Sequence, residues 1–239
     1  LIDAVSLPEW LNLSPLRRQR LEAGVRLAHR GAWAARSGLA RLVAAHPEFA
    51  PIEAEAGPLP WRVRPAGFPG LLAVIVGQQI SNQAAGAIWR RLRALPGADR
   101  PEGLLALPET ALRGAGLSRP KIAHARALAE ACVAGALDPA RLAALDDAAA
   151  VAAICAVRGL GRWSAEVYLL FAEQRADVFP AGDLALAGAV AALRGLKARP
   201  GPAALREMAA AWAPWRGLAA RLLWHHWRYL TGPPAMDEG

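Results

Sequence analysis

One aspartate in this chain stands where a carboxylate could act on a substrate. Asp183 follows Val178-Phe179-Pro180-Ala181-Gly182, a loop in which Pro180 and Gly182 discourage regular structure, and it opens an apolar helical run to 194. On its own the residue reads as an N-cap, whose oxygen accepts from first-turn N–H groups. A second feature precedes it. Val157-Arg158-Gly159-Leu160-Gly161-Arg162-Trp163-Ser164-Ala165 joins two helical patterns. Two glycines around one apolar residue permit a tight turn with positive φ angles and keep side chains away from an approaching ligand. The free N–H groups and positive end of the next helix suit one phosphate. Leu160 is expected to turn inward as an anchor. Without further context, Gly-x-Gly is equally an αα-turn with glycine caps.

Other reactive residues offer less. Cys132 and Cys155 lack CxxC spacing and neighbouring His ligands, which excludes a zinc finger, a four-Cys iron–sulfur cluster or a disulfide framework. They read as two buried thiols, and a cytoplasmic compartment is expected. His225-His226 lacks the i, i+4 partner of a helical metal site and reads as surface or phosphate contact. Lys121 reads as a solvated helix residue. Glu166 is an alternative acid, but it falls inside a helical pattern. No cofactor and no side-chain metal site are expected.

The elements around these residues read as helical. Residues 8–46 carry apolar residues at helical spacing between arginines. Pro47, Pro51, Gly57, Pro58, Pro60, Pro65 and Gly67 make 47–67 an irregular connector. Helix resumes over 68–95, with a possible break at Gly77, and Ser81 is placed to cap its second half. Pro96, Gly97, Pro101 and Pro108 punctuate the next stretch. Ser118 is expected to cap a helix through Val133, and Asp146 or Asp147 one running to Val157. Sustained period-two alternation is absent and Ala and Leu dominate, so the chain is expected to be all-α. No apolar run reaches the roughly 18 residues of a membrane span. The 239 residues carry net charge +8 with pI about 10.8, which favours an anionic partner. Arginine supplies nearly all of this, since Lys121 and Lys197 are the only lysines, and a GC-rich genome, which favours Ala, Arg, Gly and Pro, gives the same bias.

Taken in order, these segments resemble the helix-hairpin-helix (HhH-GPD) DNA glycosylase superfamily, and within it the alkylpurine, 3-methyladenine glycosylase II-like branch. Gly159 to Ala165 followed by Val178 to Asp183 is similar to that family's hairpin, Gly/Pro-rich loop and aspartate. Gly77-Gln78-Gln79-Ile80-Ser81 resembles the branch's helix break, and Gly116-Leu117-Ser118 with Lys121 its next turn. Trp212-Ala213-Pro214-Trp215-Arg216 and Trp224 resemble its C-terminal helices. The likeness spans roughly 45–230.

The resemblance implies two helical subdomains with a DNA cleft between them, here 1–67 plus 181–239 and 68–180. It implies that Asp183 is catalytic, and that Gly159, Leu160, Gly161, Arg162 and Ser164 bind the DNA backbone. An extruded base requires aromatic faces, for which Trp163, Trp215 and Trp224 are candidates, then Tyr168 and Phe179. Trp33 and Trp89 read as core. Gln79 or Ile80 would wedge into the gap left by the base, although Gln79 could instead cap a helix end. Any metal would be a monovalent ion on hairpin carbonyls. The expected protein is a monomeric, monofunctional glycosylase acting on damaged duplex DNA in a bacterial nucleoid. The alternatives are a glycosylase with lyase activity, which needs a hairpin lysine where Trp163 stands, and a non-catalytic hairpin DNA-binding module.

Overall fold

The computed structural model describes residues 36–232. Among them helices form and no strand does. The first part of the expected N-terminal helix, and Trp33 with it, lies outside the described residues. Residues 36–45 are helical and are called α1.

The stretch 47–67 departs from the expected irregular connector. It contains a 3-10 turn at Pro47–Phe49 and α2 at Ala50–Ala56. Pro47 and Pro51 occupy first-turn positions, where a missing N–H has no helical acceptor to lose. The prolines start these elements rather than preventing them, and only 57–67 runs without helix. The run over 68–95 divides as expected into α3, Phe68–Gly77, and α4, Asn82–Arg93. Ser81 caps α4 by accepting from the Ala84 N–H at 3.2 Å. Two short helices fill the Pro-punctuated stretch, α5 at Pro101–Ala106 and α6 at Glu109–Gly114. Ser118 stands at the N-cap of α7, Arg119–Val133, but its hydroxyl makes no cap bond. Asp146 caps α8, Asp147–Cys155, which stops short of Val157. Then follow α9, Arg162–Phe171; α10, Leu184–Leu193; α11, Pro202–Ala210; and α12, Arg216–Thr231.

Two apolar clusters form. The first surrounds α3, whose Leu71, Leu72 and Ile75 are fully buried beneath α7 and α9. Full burial of each such side chain contributes roughly 1.5–3 kcal/mol, so α3 is the element this cluster depends on most. Trp89 packs partly buried against it. The second cluster joins α1 and α2 to α10–α12 through Leu42, Phe49, Ile52, Leu186, Trp212 and Leu222. Phe171 and Trp224 pack against both.

The loop between α9 and α10 must hold Asp183 in place, and it is tied down along its length. Arg175 donates to Asp147 Oδ1 at 2.7 Å and to the Leu142 carbonyl at 2.6 Å. Asp177 receives Arg216 in a two-pronged pair, Nε at 2.9 Å and Nη2 at 2.7 Å, and also the Arg216 backbone N–H. The Gly217 N–H reaches the Ala176 carbonyl at 2.7 Å. Both clusters therefore grip this one loop.

Candidate active site

Asp183 is the N-cap of α10 and is half-buried. Its Oδ1 accepts from the Ala185 N–H at 2.9 Å, the Leu186 N–H at 3.0 Å and the Trp224 indole Nε1 at 3.0 Å. Its Oδ2 accepts from the Trp163 indole Nε1 at 2.9 Å. Four N–H donors from three helices thus fix one carboxylate. Capping and presentation to a substrate are compatible, because both hold the group at a helix start.

Trp163 belongs to the first turn of α9, so the hairpin and the aspartate are one assembly. Gly159 has φ +92°, and a Cβ there would run into the ring of His124. Gly161 differs from expectation. Its φ is −86°, which any residue can adopt, and a Cβ there would meet nothing within 4 Å. Only Gly159 is demanded by the backbone; Gly161 keeps the space before α9 clear. The first intrahelical bond of α9 is Ala165 N–H to the Gly161 carbonyl at 3.0 Å. The N–H groups of Arg162, Trp163 and Ser164 therefore lack intrahelical acceptors and suit an anion. Arg158 and Arg162 flank this opening and are exposed, while Leu160 is buried at 2% exposure, the anchor the sequence predicts.

Several predicted site residues lie elsewhere. Tyr168 and Phe179 are packed inside, at 1% and 7% exposure, and offer no open ring face. The Tyr168 hydroxyl accepts from the Gly67 N–H at 2.8 Å, and burial pushes its pKa up to about 12. Trp215 packs in the second cluster beside Gly38 and Leu218 rather than against Asp183. The Ser164 hydroxyl is buried, where it accepts from Gln78 Nε2 at 3.0 Å, while its backbone N–H belongs to the open first turn of α9. Gln79 and Ile80 are exposed at the break after α3, with Gln79 at φ +56° and no helix-capping side-chain bond.

Other residues change role. Lys121 is not simply solvated: its Nζ donates to the Val76 carbonyl at 2.6 Å and helps close the end of α3. His226 is buried and His225 Nε2 lies 2.9 Å from the Gly57 carbonyl, so neither is a free surface histidine. Cys132 is half-buried, but Cys155 is exposed on α8. Glu166 is buried and accepts from Arg162 Nε at 2.8 Å.

Two residues escaped sequence reasoning. Gln78 Nε2 donates to the Gly159 carbonyl at 2.9 Å as well as to Ser164, clamping the hairpin to the α3 break. A polar residue just past a wholly apolar helix was the available signal. Leu184, directly after Asp183, is 73% exposed. Its place in the apolar pattern of α10 hid it.

Among the described residues no cluster of three or more His, Cys, Asp or Glu gathers as a metal site. The Val157 and Gly159 carbonyls each accept one hydrogen bond, from the Leu160 N–H and from Gln78, and keep a second lone pair that fits a monovalent ion.

Known proteins share this architecture. DNA-3-methyladenine glycosylase 1 of Schizosaccharomyces pombe is 28% identical over 161 residues, 66% of this chain and 71% of that protein. The structure of the 3-methyladenine DNA glycosylase Mag1 of that yeast, in complex with abasic DNA, superposes with TM-score 0.72 at 23% identity, covering 80% of this chain and 95% of that one. A DNA-3-methyladenine glycosidase structure from Bacillus halodurans gives TM-score 0.69 at 31% identity, covering 80% of this chain and 88% of that one. Residues 72–215, which include the hairpin, Asp183 and Trp163, match the sequence model of one family. The chain belongs to the HhH-GPD superfamily of base excision DNA repair proteins.

Proposed function

We propose that this protein is a monofunctional DNA glycosylase that flips alkylated, 3-methyladenine-type purines out of duplex DNA and hydrolyses their N-glycosidic bond. The observation that carries this reading is the Asp183 carboxylate, fixed by four N–H donors beside a helix start open to phosphate. Breaking a base–sugar bond develops positive charge on the deoxyribose, and a preorganised carboxylate near C1′ stabilises that charge. The bond's electron pair leaves with the base. An alkylated purine is already cationic and departs neutral, so no general acid is needed. Water then adds at C1′ and gives its proton to the Asp183 carboxylate, which passes it to solvent.

The remaining residues fit that task. The α9 N-terminus and Arg158 would hold the backbone beside the lesion. Exposed Gln79 and Ile80 would fill the gap in the stack. Trp163, Trp224 and exposed Leu184 would border the extruded base. The 3-methyladenine glycosylase relatives support the substrate class.

A lyase step needs an amine at C1′. Trp163 stands at the hairpin position where that amine would be required. Of the two lysines, Lys121 is bonded to the α3 end and Lys197 is exposed just beyond α10. The test is incubation with methylated duplex DNA, scoring released bases and alkali-labile sites, with borohydride present in a parallel reaction. Released 3-methyladenine without a covalent adduct is expected. Binding without release would leave a DNA-binding module; a substantial adduct would establish lyase chemistry.

A further inference from the structure

Arg221 on α12 is 4% exposed, and among the described residues no carboxylate pairs with it. Its Nη1 donates to the Arg62 carbonyl at 2.8 Å and its Nη2 to the Leu170 carbonyl at 2.6 Å. Its guanidinium carbon lies 4.2 Å from the centroid of the Trp61 ring and 4.5 Å from that of Phe171. The column continues. Phe171 meets Trp224 at 5.4 Å between centroids, and Trp224 donates to Asp183. Arg64 also lies over Phe171, at 5.1 Å.

Burying a cation without a counter-charge is costly, and an apolar side chain would fill the same space without that cost. Desolvation, reinforced by Arg64, lowers the pKa of Arg221 to about 10, which registers the penalty. A planar guanidinium offers what an aliphatic chain cannot: in-plane donors for two carbonyls and two faces for aromatic rings. Arg221 thereby fixes three things at once, the 57–67 segment, the end of α9 and the ring of Phe171. Electrostatics does not explain it, since a cation near a positively charged sugar would oppose the transition state. Geometry does.

We propose that Arg221 is a positioning residue that acts through Phe171 to hold the Trp224 indole on Asp183. The inference rests on the glycosylase reading given above. It is tested by a double-mutant cycle of Arg221→Met and Trp224→Phe in the full chain. The readouts are single-turnover excision on methylated duplex, affinity for an abasic-analogue duplex, and Tm. Arg221→Met should lower excision by about threefold, no more than Trp224→Phe does, with affinity within about twofold. In the Trp224→Phe background, where the indole donor is already gone, it should cost nothing further. Additive losses, or wild-type excision by Arg221→Met, would overturn the proposal. Should that variant fail to fold, Phe171→Leu removes the intervening ring and is read against Trp224→Phe in the same way: non-additive loss supports the proposal, additive loss or no loss overturns it. Wild-type protein that excises nothing overturns this inference and the glycosylase reading together, whereas wild-type excision with additive losses overturns this inference alone.

Discussion

The hairpin and the aspartate cradle share Trp163 but are built on opposite plans. The hairpin is contiguous backbone, with Gly159 shaping the turn, Gly161 keeping it open and the first N–H groups of α9 facing out. The cradle is made of side chains brought from a distance, since Trp163 and Trp224 lie 20 and 41 residues from Asp183. A backbone site takes its shape from local sequence, even where a distant residue such as Gln78 clamps it in place. A side-chain cradle depends on how α9, α10 and α12 pack. Damage to the hairpin should therefore appear in binding to any duplex, and damage to the cradle in the chemical step.

The largest effect expected is that of Asp183→Asn. Loss of transition-state charge stabilisation should cut excision about a hundredfold or more. Affinity for undamaged duplex should hold. Asn is as good an N-cap as Asp, so α10 survives. One orientation problem arises. With the amide oxygen on Ala185, Leu186 and Trp224, the amide NH2 faces the Trp163 N–H at the position of Oδ2. Two donors in contact lose a buried hydrogen bond, which costs about 1–3 kcal/mol. Melting curves should show that loss, and Trp163→Phe in the same chain should relieve it. Near-wild-type excision by Asp183→Asn would break the distinction between the two regions.

The indoles come next. Among the described residues Trp163 is the one donor the fold sets on Oδ2, whereas Trp224 is one of three on Oδ1. Trp163→Phe should therefore lower single-turnover excision more than Trp224→Phe, by about tenfold against a smaller loss. Equal losses would mean that ring faces matter and the indole N–H groups do not.

Within the hairpin the two glycines should fail differently. Gly159→Ala places a Cβ at φ +92° against His124, and strain of that kind costs about 1–3 kcal/mol, visible as a lower Tm. Gly161→Asp meets no neighbour and should leave Tm alone. It should weaken binding to damaged and undamaged duplexes alike, by about tenfold, because it sets a negative charge before a phosphate site. Fluorescence anisotropy on both duplexes, repeated at two salt concentrations, checks this; unchanged affinity would make the hairpin purely structural.

This contrast also explains what was legible in the sequence. Helical periodicity, the caps at Ser81, Asp146 and Asp183, and the inward Leu160 follow from local rules, and each stands where the sequence places it. The aspartate and hairpin were found as a pair because motif order ties them together. Periodicity cannot say which way a ring faces. Tyr168 and Phe179 are as aromatic as Trp163, yet they pack inside, because an aromatic ring buries as readily as it stacks. The indole bonds to Asp183, the reach of Gln78 to the hairpin and the column at Arg221 depend on which helices meet. Pro47 and Pro51 misled for the opposite reason: a proline both ends and begins helices, and composition alone does not say which.

The smallest effect concerns the second carboxylate of this region. Glu166 is on α9, one turn beyond Arg162, and differs from Asp183 in every respect that matters. It is buried, with Arg162 as its one side-chain partner, whose own side chain is 61% exposed. Desolvation raises its pKa above the usual 4.5, against the opposing pull of Arg162. The folded protein therefore holds this proton to a higher pH than the unfolded chain does. The resulting contribution to stability is full below about pH 4.5 and is lost as pH rises through the raised folded-state value. A glutamine has no proton to lose. The Tm of Glu166→Gln relative to wild type should accordingly climb as pH rises above about 4.5 and level off once pH has passed the raised folded-state value. A difference that stays flat across that range would show that burial of Glu166 is not penalised. Excision at neutral pH should remain within about twofold of wild type, because a carboxylate bonded to Arg162 within a helix does not reach C1′. Loss of excision comparable to that of Asp183→Asn would instead place Glu166 in the chemistry and erase the division of labour between hairpin and cradle.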